Sequence, residues 1–102
     1  MNSNLSTVVE QINIFLDADL SPASNEVLHA YMEILNTCEG TDEKKLNHLS
    51  EYIDERAVAI MSSSDPTASQ IKAMAVHAFF TEMIGELAKA SWEKEMLASK
   101  KS

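Results

Sequence analysis

A chain of 102 residues, 45% of them hydrophobic, is long enough to bury one modest core and too apolar to stay unfolded. Its net charge of −8 excludes a surface built to grip a phosphate backbone, which takes clustered Lys and Arg. Two glycines and two prolines are too few for the turns of a sandwich or barrel and point to a few long helices.

The first predicted helix covers about Leu5 to Asp17. Leu5, Val8 or Val9, Ile12 and Phe15 or Leu16 recur at three-to-four spacing, behind Asn4 or Ser6 as a cap. Four β-branched residues, Val8, Val9, Ile12 and Ile14, favour a strand locally, but the helical period decides against it. Ala18 to Ser21 breaks the pattern, and Ser21-Pro22 reads as an N-cap followed by a proline at N1. The second helix then spans Pro22 to Cys38. Val27, Leu28, Tyr31, Ile34, Leu35 and Cys38 form its apolar stripe; Glu26, His29, Glu33 and Asn36 lie opposite. Gly40 is placed to end it in the left-handed conformation.

The third helix is expected over residues 42–61, with Thr41 as cap and Asp42 and Glu43 at the positive end of its dipole. Leu46, Leu49, Ile53, Ala57 and Ile60 make its buried stripe, and Lys44, His48, Glu51, Asp54 and Glu55 its solvated face. After Ser62-Ser63-Ser64, Asp65-Pro66 reads as a second cap-and-proline start, and nothing breaks the helix before about Leu97. Residues 98–102 are expected as a disordered tail. The seam of this fourth helix is Ala73, Val76, Phe80, Met83, Leu87 and Ala90, widened by Phe79 and Ile84. Ile71, Met74, Ala75 and Ala78 lie on its other side, so its first part should be buried nearly all round. Gly85, in mid-helix, suggests the close approach of another backbone as one of two readings, simple tolerance being the other. The expected fold is a single all-α domain over 1–102, an antiparallel four-helix bundle-like arrangement with a long C-terminal helix.

Charge is unevenly placed along this frame. No Lys or Arg occurs before Lys44, while Glu10, Asp17, Asp19, Glu26, Glu33, Glu39, Asp42 and Glu43 all do. The apolar stripes of the first two helices are committed to the core, so Glu10, Asp17, Glu26 and Glu33 should form an outward acidic face. The back half is charge-balanced and supplies a different surface. A fourth helix of roughly 48 Å overhangs partners of roughly 20–30 Å, at 1.5 Å per residue. That leaves Trp92, Met96 and Leu97 partly exposed, as a partner site or dimer interface.

No motif specifies chemistry. Glu26-x-x-His29 is half of a di-iron pattern, but it occurs once and faces away from the stripe, so no metal is expected. His77 should be a half-buried core histidine and Cys38 an inert buried thiol. The serines sit at caps and turns, and no glycine-rich phosphate loop or activated nucleophile is present. The Trp-x-Gly turn of small secreted helical-hairpin proteins is absent. No stretch approaches the 18 or so apolar residues of a membrane span, no basic-then-apolar leader opens the chain, and one cysteine makes no internal disulfide. The expectation is a cytoplasmic, non-catalytic protein without cofactor that binds another protein, as adaptor or inhibitor, and neither membrane nor nucleic acid directly. Its partner would be basic, for instance a nucleic-acid-handling protein. The alternative is a self-associating structural or secretion-associated chaperone or assembly protein, a homodimer through the C-terminal helix.

Overall fold

Local capping chemistry sets where the helices begin. The computed structural model of the protein describes residues 4–100, and the side chains of residues 4–98. It contains α1 (Asn4–Ala18), α2 (Pro22–Thr37), α3 (Asp42–Met61) and α4 (Ala68–Lys100), and no strand among the described residues. At α2 the Ser24 N–H donates to Ser21 Oγ at 3.1 Å, with Pro22 in the first turn. At α3 the Lys44 N–H donates to Thr41 Oγ1 at 3.2 Å. Each bond satisfies a donor that the first helical turn leaves without an intrahelical partner.

The start of α4 departs from expectation. Asp65-Pro66 does not open it; Thr67 and Gln70 do. The Gln70 N–H donates to Thr67 Oγ1 at 3.1 Å, and the Thr67 N–H donates to Gln70 Oε1 at 2.8 Å. This reciprocal capping box satisfies two donors at once, which a lone Asp65 cap would not. At its other end α4 continues through Ala98 to Lys100, where a disordered tail was expected. Lys101 and Ser102 lie outside the described residues.

The turn between α1 and α2 is held by a non-glycine residue at positive φ. Asp19 sits at φ 50°, its N–H donates to the Leu16 carbonyl at 3.1 Å, and Oδ1 accepts from Asn25 Nδ2 at 2.6 Å. Aspartate tolerates the left-handed region better than most residues, and the side-chain bond holds it there. Cys38 caps α2 in extended conformation, so Gly40, at φ +122°, lies two residues past the cap rather than one.

All four helices feed one core: Val8 and Ile12, Leu28, Tyr31 and Leu35, Leu49 and Ile53, Val76 and Phe80. Aromatic rings lock its centre. Phe80 meets Phe15, Tyr31 and Phe79 edge-on at centroid distances of 5.7, 5.3 and 5.3 Å. The helices alternate in direction, so the start of α1 lies beside late α4, where Asn4 Nδ2 donates to Ser91 Oγ at 3.0 Å. This is the antiparallel four-helix arrangement that the stripes and short connections imply. Among the described residues no helix is long and apolar enough to cross a membrane.

Helix α4 is only half committed to this core. The last of its residues to pack against it is Leu87, and every residue from Ala88 to Ala98 is exposed, Ala90 included. The molecule measures 53 × 28 × 24 Å, and its long dimension matches the 33 residues of α4 at about 1.5 Å each. The expectation that early α4 is buried all round is wrong. Ile71 is 58% exposed and Ala75 and Ala78 are also exposed, because α4 lies on the outside of the bundle and its neighbours reach one side of it only. Gly85 is exposed as well, and a Cβ built there meets nothing within 4 Å, so no backbone of this chain approaches it closely. Gly85→Ala is therefore expected to raise stability by about 0.5–1 kcal/mol, seen at low protein concentration as a higher urea midpoint with unchanged slope. A lower midpoint would contradict the open surroundings of this glycine.

Candidate functional site

Two unlike surfaces result from these stripes. On α1 and α2, each apolar position spent on the core turns a carboxylate outward. Glu10, Asp17, Glu26 and Glu33 are all exposed on the outer faces of these adjacent helices. So are the other acidic residues of the front half: Asp19, Glu39, Asp42 and Glu43. His29 shares the outer face of α2 with Glu26 and Glu33, and no group of three His, Cys, Asp or Glu among the described residues is arranged to hold a metal ion.

The second surface is the overhang of α4 and the groove beneath it. Trp92 is 60% exposed, Met96 43% and Leu97 62%. They do not form one patch. At about 100° per residue, Trp92 and Met96 share the side of α4 opposite its core seam, whereas Leu97 points about 100° away, along the flank that carries Phe79. Where α4 leaves the bundle, a groove of about 630 Å³ opens between the beginnings of α1 and α3 and late α4. Leu5, Leu46, Ile84 and Leu87 line its floor, with Asp42, Glu43 and Glu95 at its edges and Trp92 at its rim. This groove was not legible in the sequence, because it is made by the starts of two helices meeting the middle of a third. A smaller groove of about 400 Å³ lies toward the opposite end, lined by Phe15, Leu20, Ala75 and Phe79.

Among the described residues, one pair of titratable side chains is buried. Tyr31 in α2 and His77 in α4 are hydrogen-bonded through the phenol oxygen and ring Nδ1. His77 is 2% exposed rather than half-buried as expected. Burial, and then the Arg56 guanidinium, hold its pKa below the ordinary histidine value of 6.5. Burial, and then Tyr52, push the Tyr31 phenol well above its usual range. Both groups are thus neutral, and with the proton on Nε2 the Tyr31 hydroxyl donates to Nδ1. The pair has the character of a satisfied polar link inside a core. Cys38, expected as a buried thiol, is instead partly exposed at the end of α2, where its Sγ lies 3.6 Å from the Glu39 carbonyl oxygen.

The geometry thus offers surfaces: one charged, one apolar, and a shallow groove at the base of the second. No family model, no curated protein and no solved structure matches this chain, so its functional reading stands on this geometry alone.

Proposed function

We propose that this is a non-catalytic protein-binding domain that captures a basic partner on the acidic outer face of α1 and α2. One observation carries the reading: eight carboxylates precede the first Lys, and every one of them is exposed. A concentrated field of one sign draws an oppositely charged protein along a steered approach and disfavours like-charged competitors. A nucleic-acid-handling protein, whose groove is basic, is a partner of the right charge, and an adaptor or inhibitor acting there needs no chemistry of its own.

Partner capture from the host at two ionic strengths tests this. Raising salt from about 0.1 M to about 1 M shortens the screening length from about 10 Å to about 3 Å, and binding is expected to fall steeply. Glu26→Lys combined with Glu33→Lys is expected to slow association about tenfold at low salt while leaving helix content unchanged. Binding that ignores both salt and the charge reversals would remove the acidic face from consideration.

A second reading, self-association in a structural or assembly role, is favoured by the unbroken exposure of residues 88–98 with Trp92, Met96 and Leu97 among them. Exposed large apolar side chains on a projecting helix are the usual mark of a contact surface.

A further inference from the structure

We propose that α4 pairs with α4 of a second copy of this chain, antiparallel, about a two-fold axis at Gly85. The inference rests on the self-association reading and gives it a geometry.

The side of α4 opposite the core seam carries Ile71, Met74, Ala78, Gly85, Trp92 and Met96, successive members three to seven positions apart, so that they form one stripe along the helix. Met74 is half-buried and the others are exposed. Gly85 lies near the middle of a helix running from Ala68 to Lys100. In an antiparallel pair crossing there, the projecting half of each α4 lies along the exposed early half of the other. The overhang that the monomer leaves in solvent and the uncovered face at the start of α4 then cover one another.

Side-chain sizes fit this register. Positions equidistant from Gly85 meet, which sets Trp92 of one copy against Ala78 of the other and Met96 against Met74, with Ala75 one position nearer the crossing. Trp92, the largest residue of the stripe, thus faces the small Ala78, as interdigitating helices require. The missing side chain of Gly85, which has no in-chain reason, then stands at the crossing point where two backbones come closest.

Charge decides the direction. Glu82 and Lys89 flank the stripe on one side, three residues before and four residues after Gly85, and both are exposed. Antiparallel pairing sets Glu82 of each copy beside Lys89 of the other, so two opposite-charge pairs form about the axis. Parallel pairing would instead carry this flank of the second copy to the opposite face of the interface, and neither contact would form. The stripe has none of the charge excess of α1 and α2, and an antiparallel second copy is the occupant it complements.

Sedimentation across a concentration series, with Trp92 emission followed in parallel, tests both levels. Trp92 is the single tryptophan of the chain. Its emission is expected to shift to the blue as the dimer forms, and Trp92→Ala to raise the dissociation constant about tenfold or more. Glu82→Lys or Lys89→Glu alone should weaken the pair about tenfold, because two contacts turn repulsive, and the double exchange should restore it. In a Cys38→Ser background, a mixture of Ala75→Cys and Met96→Cys chains should be joined by a short bis-maleimide, and neither chain should join to itself. These positions are exposed, so the variants keep the fold, with helix content as the check. A chain that stays monomeric throughout overturns both the inference and the self-association reading. A dimer in which Ala75→Cys joins to itself, or in which the double exchange restores nothing, overturns the antiparallel register and leaves self-association standing.

Discussion

Phe80→Ala is expected to lower the unfolding free energy by about 3–5 kcal/mol, the usual range for emptying a buried phenylalanine site. The ring is fully buried, and three aromatic neighbours from α1, α2 and α4 itself pack edge-on against it. Its removal takes away the transfer free energy of the ring and the contacts of all three partners, and large rigid rings do not close the space left behind. Domains of this size are stable by about 5–15 kcal/mol, so the variant should be close to the limit of folding. Urea unfolding followed by circular dichroism is the measurement, and the thermal midpoint should fall on the order of 20 °C. A change under about 1 kcal/mol would mean that the α4 seam does not reach the centre of the core.

The second large effect is an acid sensitivity carried by one buried side chain. Unfolded, His77 takes up a proton around its ordinary value of 6.5; folded, it resists protonation to lower pH because it is buried and faces Arg56. Between those two values the unfolded chain holds more protons, so stability rises with pH through that window. The contribution is therefore complete above pH 6.5 and is lost as pH falls below it toward the folded value. Unfolding midpoints taken across that range should show the slope, and His77→Gln, which keeps an acceptor for Tyr31 but does not titrate, should flatten it. Tyr31→Phe should cost about 1–3 kcal/mol above pH 6.5, since it strands a buried ring nitrogen. Equal slopes in wild type and His77→Gln would refute this assignment.

Helices α2 and α3 were readable in the sequence because each has both a clean stripe and a local cap, and α1 from its stripe alone, since the expected caps Asn4 and Ser6 lie inside it. The bounds of α3 were expected at 42–61 and are Asp42–Met61. Helix α4 was misplaced at its start for a specific reason. Asp65-Pro66 has the chemistry of a helix start, and so does Thr67-Ala68-Ser69-Gln70; only the two-way bond between Thr67 and Gln70 decides between them. The apolar residues of early α4 misled because hydrophobic content reports what a helix is able to bury and says nothing of how many neighbours surround it. Ile71, Ala75 and Ala78 remain uncovered for that reason. The Tyr31–His77 bond joins residues 46 positions apart, and no spacing rule along a chain reaches that far. For the outward faces the sequence sufficed, since a stripe that is committed to the core dictates where Glu10, Asp17, Glu26 and Glu33 must point.

The contact between Asn4 and Ser91 spans 87 positions, and the centre of the core is filled by Phe80. On a ribosome the chain emerges from its amino end, so α1, α2 and α3 are complete while the ring they need is still to be made. Their apolar stripes wait, open to water, until α4 arrives. The domain thus becomes a folded object only once α4 has been made. Until then, Val8, Ile12, Leu28 and Leu49 are nascent-chain surface, available to any factor that shelters apolar segments.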